Sequence, residues 1–320
     1  MDPNTTFQQP SDLDIICFGE PLLEINEQPD GERVFGFGGD TSNCAISAAR
    51  CGARTGVLAQ LGDDAHGQQF LSLWQREGVS TQGVRVLPNT VTGSYTVTHD
   101  DEGHHFSYAR EGSAASLITS QDVPTEHIAK SRYLHVSGIS QAISASAEAA
   151  VFTAIETARN ANVTVSYDTN LRLKLWSLER ARAVTKEATS LSQIVLPGFD
   201  DAVQLTQKKH PDDIVDYYLN NGSSLVALTL GAKGVLVATP DNREQIPPFS
   251  VNVIDATGAG DTFDGAFLSQ LVNQVDAFSA ARFANAAGAL STTSIGAVNS
   301  MPTKSEVEQY LQRHSSSTKK

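Results

Sequence analysis

Short apolar runs recur along this chain at Leu13–Phe18, Gly56–Leu61, Arg132–Val136, Val163–Tyr167, Gln193–Leu196 and Leu225–Leu230. Several are rich in β-branched residues and nearly continuous rather than alternating in polarity. Alternation marks a strand with one wet face, whereas a continuous run belongs to a strand covered on both faces, as in a parallel sheet. Helix-like stretches lie between the runs: Thr41–Cys51 stopping at Gly52, Gly67–Glu77 stopping at Gly78, Ser146–Asn160, Leu178–Ser190 and Asp261–Asn273. This repeated β-then-α order predicts an α/β fold, a doubly wound, mostly parallel sheet flanked by helices. A chain of 320 residues is long enough to bury one core of that kind.

Two segments break the alternation. Glu20–Phe37 reads as two short strands about the turn Pro29-Asp30-Gly31, and Thr92–Tyr108 as two strands about Asp100-Asp101-Glu102-Gly103. Turns of this kind between β-rich runs signal hairpins. The first hairpin follows the end of the first core strand, where open α/β sheets place their ligands. Both are therefore expected to form a small β-sheet lid, with an independent second domain as the alternative. The expected organisation is one domain over 13–313 with lid segments at about 20–37 and 92–110. Residues 1–12 and 314–320 read as solvated tails.

Composition removes several function classes. Lys and Arg total 23 against 36 Asp and Glu, a net charge of −13. Nucleic acid and anionic membranes need clustered basic residues, so neither is an expected partner. No stretch approaches the length of a membrane span, and the N-terminus is polar with no signal-like apolar region. A cytoplasmic location is expected. Cys17, Cys44 and Cys51 are odd in number with no CxxC pair, which fits reduced thiols used in packing. The histidines are scattered or, at His104 and His105, adjacent on a strand and so on opposite faces. They offer no metal site.

The run Val253–Phe267, VIDATGAGDTFDGAF, carries the sharpest chemical signal. A strand-like VNVID meets a turn of small residues and then an amphipathic helix with Phe263, Phe267 and Leu271 on one face. Gly258 and Gly260 allow a tight turn and close approach to a ligand. Exposed amides at the helix start, with the helix dipole, make an anion site. Asp261 stands beside that site as either an N-cap or a base held against a phosphate acceptor. Other phosphate motifs are missing. There is no GxxxxGK[ST], no HRD with DFG, and no GxGxxG after Phe18, so P-loop and protein-kinase mechanisms are excluded.

The string Asp255-Ala256-Thr257-Gly258-Ala259-Gly260-Asp261-Thr262-Phe263 resembles the C-terminal signature of the ribokinase-like (PfkB) carbohydrate kinases. Gly36-Phe37-Gly38-Gly39-Asp40-Thr41-Ser42-Asn43 resembles their N-terminal signature. Leu61–Gly67, Thr229–Gly234 and Phe283–Ala287 resemble their LG-D turn, nucleotide loop and adenine-side helix, in family order. The resemblance implies ATP and Mg²⁺, leaves room for a monovalent cation, and implies a homo-oligomer. It implies Asp261 as base with Gly258, Ala259 and Gly260 as the anion hole. The nucleotide would meet Asn170, Thr229, Gly231, Lys233, Gly234, Gly258, Gly260 and Asn285.

Within the family, Tyr95, His105–Arg110, Ser137–Ser140 and Tyr167–Trp176 are similar to 2-keto-3-deoxygluconate kinases. The resemblance implies an acid sugar held by Gly38, Gly39, Asp40, Asn43, Tyr95, Tyr108, Arg110, Arg172 and Asp261. A carboxylate substrate needs a local cation in an acidic protein, and an Arg fork supplies bidentate bonds to it. Alternatives are a neutral sugar or nucleoside acceptor, as in fructokinase or ribokinase, and a non-catalytic sugar-binding protein. The intact Asp261 and anion loop argue against the last. One departure stands out: the family's magnesium-linked N-x-x-E reads Gly198-Phe199-Asp200-Asp201. Asp201 is left to hold Mg²⁺ through water, as that ion often allows.

Overall fold

A computed structural model of the chain describes residues 13–27, 32–100 and 103–317, with side chains described for 13–27, 32–98 and 107–314. The strands are β1 (Leu13–Phe18), β2 (Leu22–Glu27), β3 (Arg33–Gly38), β4 (Thr55–Gly62), β5 (Ser80–Leu87), β6 (Ser94–Asp100) and β7 (Gly103–Ala109). They continue as β8 (Ser131–Ser137), β9 (Thr164–Asp168), β10 (Ile194–Leu196), β11 (Leu225–Thr229), β12 (Val235–Ala238) and β13 (Arg243–Ile246). The helices begin with α1 (Asp40–Arg50), α2 (Ala65–Arg76), α3 (Thr125–Ala129), α4 (Gly138–Ala142), α5 (Ala145–Asn160) and α6 (Leu178–Ser190). Then come α7 (Phe199–Thr206), α8 (Pro211–Asn220), α9 (Ala259–Val272), α10 (Ala277–Ser291) and α11 (Lys304–Ser317).

The core sheet has nine strands in the order β13-β12-β11-β10-β9-β8-β1-β4-β5. From β11 to β5 the pairing is parallel, and β12 and β13 turn back antiparallel at one edge. Strand β1 shows why continuous apolar runs mattered. Successive side chains leave a strand on opposite faces, and Ile15 and Cys17 enter one core cluster while Ile16 and Phe18 enter another. Both faces are covered by helices. The chain winds outward from β1 through β4 to β5, then returns to the other side of β1 with β8. That reversal opens a crevice beyond the carboxyl ends of β1 and β8, where such sheets bind ligands.

The two expected hairpins form a separate four-stranded sheet, β3-β2-β6-β7. Each pairs antiparallel within itself, and β2 joins β6 in parallel. The turns expected at Pro29-Asp30-Gly31 and Asp101-Glu102 lie outside the described residues, as do the side chains of His104 and His105. Residues 1–12 and 318–320 lie outside as well.

Several expectations need correction. Val251–Asp255 is not a strand. Val253 and Ile254 are exposed, and the amides of Ile254 and Asp255 both donate to the Thr292 carbonyl. Helix α9 is not amphipathic but buried on nearly every side from Thr262 to Gln270, because α1 and α10 cover what the sheet does not. Helix α11 runs to Ser317, and His314 packs against Tyr310 at a ring separation of 4.0 Å. Strand β5 and the β12–β13 hairpin were not expected. Among the described residues no helix is long and apolar enough to cross a membrane.

Candidate active site

The crevice is organised by the first turn of α1. Its N-cap is Gly39 at φ +95°, where a Cβ would stand 2.3 Å from the Glu20 carbonyl, so only glycine fits. Asp40 opens the helix. Its Oδ1 accepts from the Thr41 amide at 2.8 Å, and its Oδ2 from Asn170 Nδ2 at 2.9 Å. Asn43 lies one turn on and donates from Nδ2 to Asp261 Oδ2 at 2.8 Å. Helix α1 thus ties the segment after β9 to the start of α9 through two pairs, Asp40 with Asn170 and Asn43 with Asp261. The resemblance implies a nucleotide contact for Asn170, whose side-chain amide here donates to Asp40.

Asp261 is the third residue of α9, and the N-cap is Gly258 at φ +73°. Asp261 is therefore not a cap. A Cβ on Gly258 would meet Ala297 at 2.8 Å, while one on Gly260 would meet nothing within 4 Å. The loop is tight behind and open in front, with first-turn amides that have no acceptor inside the helix. Asp255 fastens this loop through Thr257 and the Gly296 amide at 2.6–2.9 Å. Burial and the charge of Asp40 push Asp261 up to about 7, against the pull of the Asn43 bond and Arg172.

Three acids here were missed by sequence reasoning. Asp168 ends β9, and Asp264 follows Asp261 by three residues on α9, hence on nearly the same face. Burial, then the neighbouring carboxylates, pushes both well above the usual carboxylate range. The available signal for Asp264 was an acid standing between Phe263 and the small and apolar stretch Gly265–Leu268. Glu20, two residues beyond β1, is the third. It is buried, with Oε2 2.8 Å from Arg110 Nε.

On the small sheet, Tyr95 donates its hydroxyl to Glu24, lies beside Gly38, and faces Tyr108 at a ring separation of 5.8 Å. Tyr108 is half exposed, with Arg110 Cζ 5.4 Å and Lys174 Nζ 5.8 Å from its ring centre. Arg172 is also half exposed. Its Nη1 donates to the Leu171 carbonyl at 2.9 Å and lies 3.9 Å from Asp201. The two arginines expected as one clamp therefore rest on different anchors, Glu20 and Asp201.

Towards the other side, Thr229 closes β11 and Gly231–Lys233 form a tight turn with Lys233 exposed. Gly234 follows at φ +90°, and Asn285 on α10 donates to the Pro247 carbonyl at 2.9 Å. Asp201 Oδ2 accepts from the Leu171 amide at 2.9 Å. Only its other oxygen is left, which fits an ion that keeps its waters and meets the protein through a single carboxylate.

The sequence profile of the pfkB family carbohydrate kinases matches residues 13–304. A 2-dehydro-3-deoxygluconokinase of Bacillus subtilis (strain 168) is 31% identical over 309 residues, covering 93% of this chain and 95% of that protein. Fructokinase-1 of Zea mays is 32% identical over 316 residues, covering 93% and 98%. An E. coli protein solved in complex with ATP and Mg²⁺ superposes with a TM-score of 0.87 at 25% identity, covering 94% and 100%. Profile, relatives and structure agree over nearly the whole length, and the chain belongs to the pfkB family of carbohydrate kinases.

Proposed function

We propose that the protein transfers the γ-phosphoryl group of ATP to a terminal hydroxyl of 2-keto-3-deoxygluconate. The carrying observation is the gathering of cations at the mouth of the crevice. Arg110 and Lys174 reach the Tyr108 ring from different segments, and Arg172 stands two residues before Lys174. In a chain of net charge −13, three cationic side chains gathered at one point suit an anionic acceptor better than a neutral one.

Asp40, Asn43, Gly38, Gly39 and Tyr95 line the acceptor side. Asp261 takes the hydroxyl proton as the oxygen attacks the γ-phosphorus, and a pKa of about 7 suits a base working near neutrality. The Gly258–Gly260 amides face the charge that spreads over the transferred group. ATP runs from there along Thr229–Gly234 towards Asn285. Asp201 would hold Mg²⁺ through water, and when bound that ion neutralises charge on the nucleotide phosphates.

A fructose acceptor is the second reading. It is favoured by the Zea mays relative and by the pairing of Arg110 with Glu20, which offsets one of the cations. A panel of sugar acids and neutral sugars with Mg-ATP, read as ADP released, separates the two. The acid sugar is expected to give the highest kcat/KM. Preference for fructose sinks the acid reading, and no sugar-dependent ADP sinks the kinase reading itself.

The small sheet closes over the acceptor and excludes water, limiting wasteful ATP hydrolysis. Sugar is expected to slow hydrogen exchange in Glu20–Phe37 and Thr92–Arg110 more than in β1, β8 or β9. Uniform protection, or none in those segments, counts against a moving lid.

A further inference from the structure

Glu20 is a charged residue that the kinase chemistry does not use, yet it is buried at the carboxyl end of β1, inside the acceptor crevice. Its Oε2 lies 2.8 Å from Arg110 Nε, but the two are not aligned as a hydrogen bond. Its Oε1 points towards Gly93, where a Cβ would stand 3.2 Å away, and has no hydrogen-bond partner among the described residues. A carboxylate held this way depends on Coulomb attraction to one guanidinium. Any second anion on Arg110 competes for the same charge.

We infer that Glu20 is a positioning residue that holds Arg110 from the Nε side in the empty crevice and takes up a proton from solvent when an anionic acceptor binds that guanidinium. The inference rests on the acid-sugar reading and gives that site a charge-sensing element. A neutral sugar leaves the ion pair alone and moves no proton. The same pairing explains how Arg110 can stay buried without a ligand, since an uncompensated buried charge is costly.

The charged and titratable groups facing this pair are Asp40 at the start of α1, on the Glu20 side, and Tyr108 on β7, whose ring centre is 5.4 Å from Arg110 Cζ and 5.8 Å from Lys174 Nζ. Burial raises Glu20 to about 7, with Arg110 opposing and Asp40 adding to the rise. A bound carboxylate raises it further. The sign follows from linkage. Below pH 7 Glu20 is protonated in both states and binding takes up nothing. Above it the free form is ionised, so binding takes up a proton and weakens as pH rises, by at most about tenfold in Kd per pH unit.

Calorimetric titration of 2-keto-3-deoxygluconate, without ATP, into Asp261→Asn protein tests this, because the substitution removes a second crevice carboxyl that is also pushed up to about 7. Repeating it in buffers of different ionisation enthalpy counts the protons directly. We expect uptake approaching one proton at pH 8, little at pH 5.5, and none with fructose. Adding Glu20→Gln should retain binding and flatten the pH dependence, which a merely structural role would not do. A pH slope unchanged by Glu20→Gln overturns the inference, as does acid binding with no proton uptake, and in both cases the acid-sugar reading survives. Should Glu20→Gln fail to fold, the proton count of the single variant still decides. Failure to bind any sugar acid overturns both.

Discussion

Replacing Asp261 by Asn is expected to lower kcat by about 10²–10⁴-fold, the range a positioned general base supplies, while leaving ATP binding nearly unchanged. The amide oxygen of the new side chain can still accept from Asn43 Nδ2, so the link between α1 and α9 survives. What disappears is the carboxylate proposed to take the hydroxyl proton. A variant keeping more than about a third of wild-type kcat, well outside that range, removes Asp261 from the mechanism. The wild-type pH profile carries the same information. A base pushed up to about 7 is protonated at lower pH, so kcat/KM should fall as pH drops through 7. Had the carboxyl kept an ordinary value, the fall would come near pH 4.

Asp261 is raised by burial first and by Asp40 second, and its charge in turn helps raise Asp168 and Asp264 at the same end of the sheet, since like charges in low dielectric cannot all ionise together. The bonds that tie Asp40 to Asn170 and Asp261 to Asn43 fix which carboxyls remain available as acceptors. Burial therefore does two things here: it makes the base strong enough to take a proton, and it holds that base in one orientation.

How much of this could be read from residues alone follows from range. Strand β1 was legible because its burial on both faces is written in consecutive residues, LDIICF. Strand β5, STQGVRVL, was not, since an edge strand is only partly buried and carries no continuous run. VNVID looked like a strand because its apolar residues alternate, yet no neighbour pairs with it and its amides turn to Thr292. In the site, the tight turn and helix start at Gly258–Asp261 were legible because such turns are local. The meaning of Asn43 was not, because its partner Asp261 is 218 residues away. Glu20, Asp168 and Asp264 are single acids in the sequence, and their roles arise only when the fold stacks them against Asp40 and Arg110.

Replacing Arg172 or Arg110 by Ala is expected to raise KM for the acid sugar. Charge-assisted hydrogen bonds contribute about 1.5–3 kcal/mol each, which is roughly ten- to a hundred-fold. The two substitutions should differ in a second respect. Arg172 is half exposed and leans on a backbone carbonyl, so its loss should leave thermal stability nearly unchanged. Arg110 is the counterion of buried Glu20, so its loss strands that carboxyl, which must then hold a proton, and stability should fall with rising pH. Lys should rescue either site only in part, because a point charge cannot reproduce the planar fork. The arginines stand on separate anchors but would meet on one carboxylate. Their KM effects should therefore couple in a double variant, whereas their stability effects should add. A neutral sugar, if accepted, should be nearly indifferent to both. If KM for ATP rises instead, these cations face the nucleotide, and the gathering of charge around Tyr108 no longer argues for an acid acceptor.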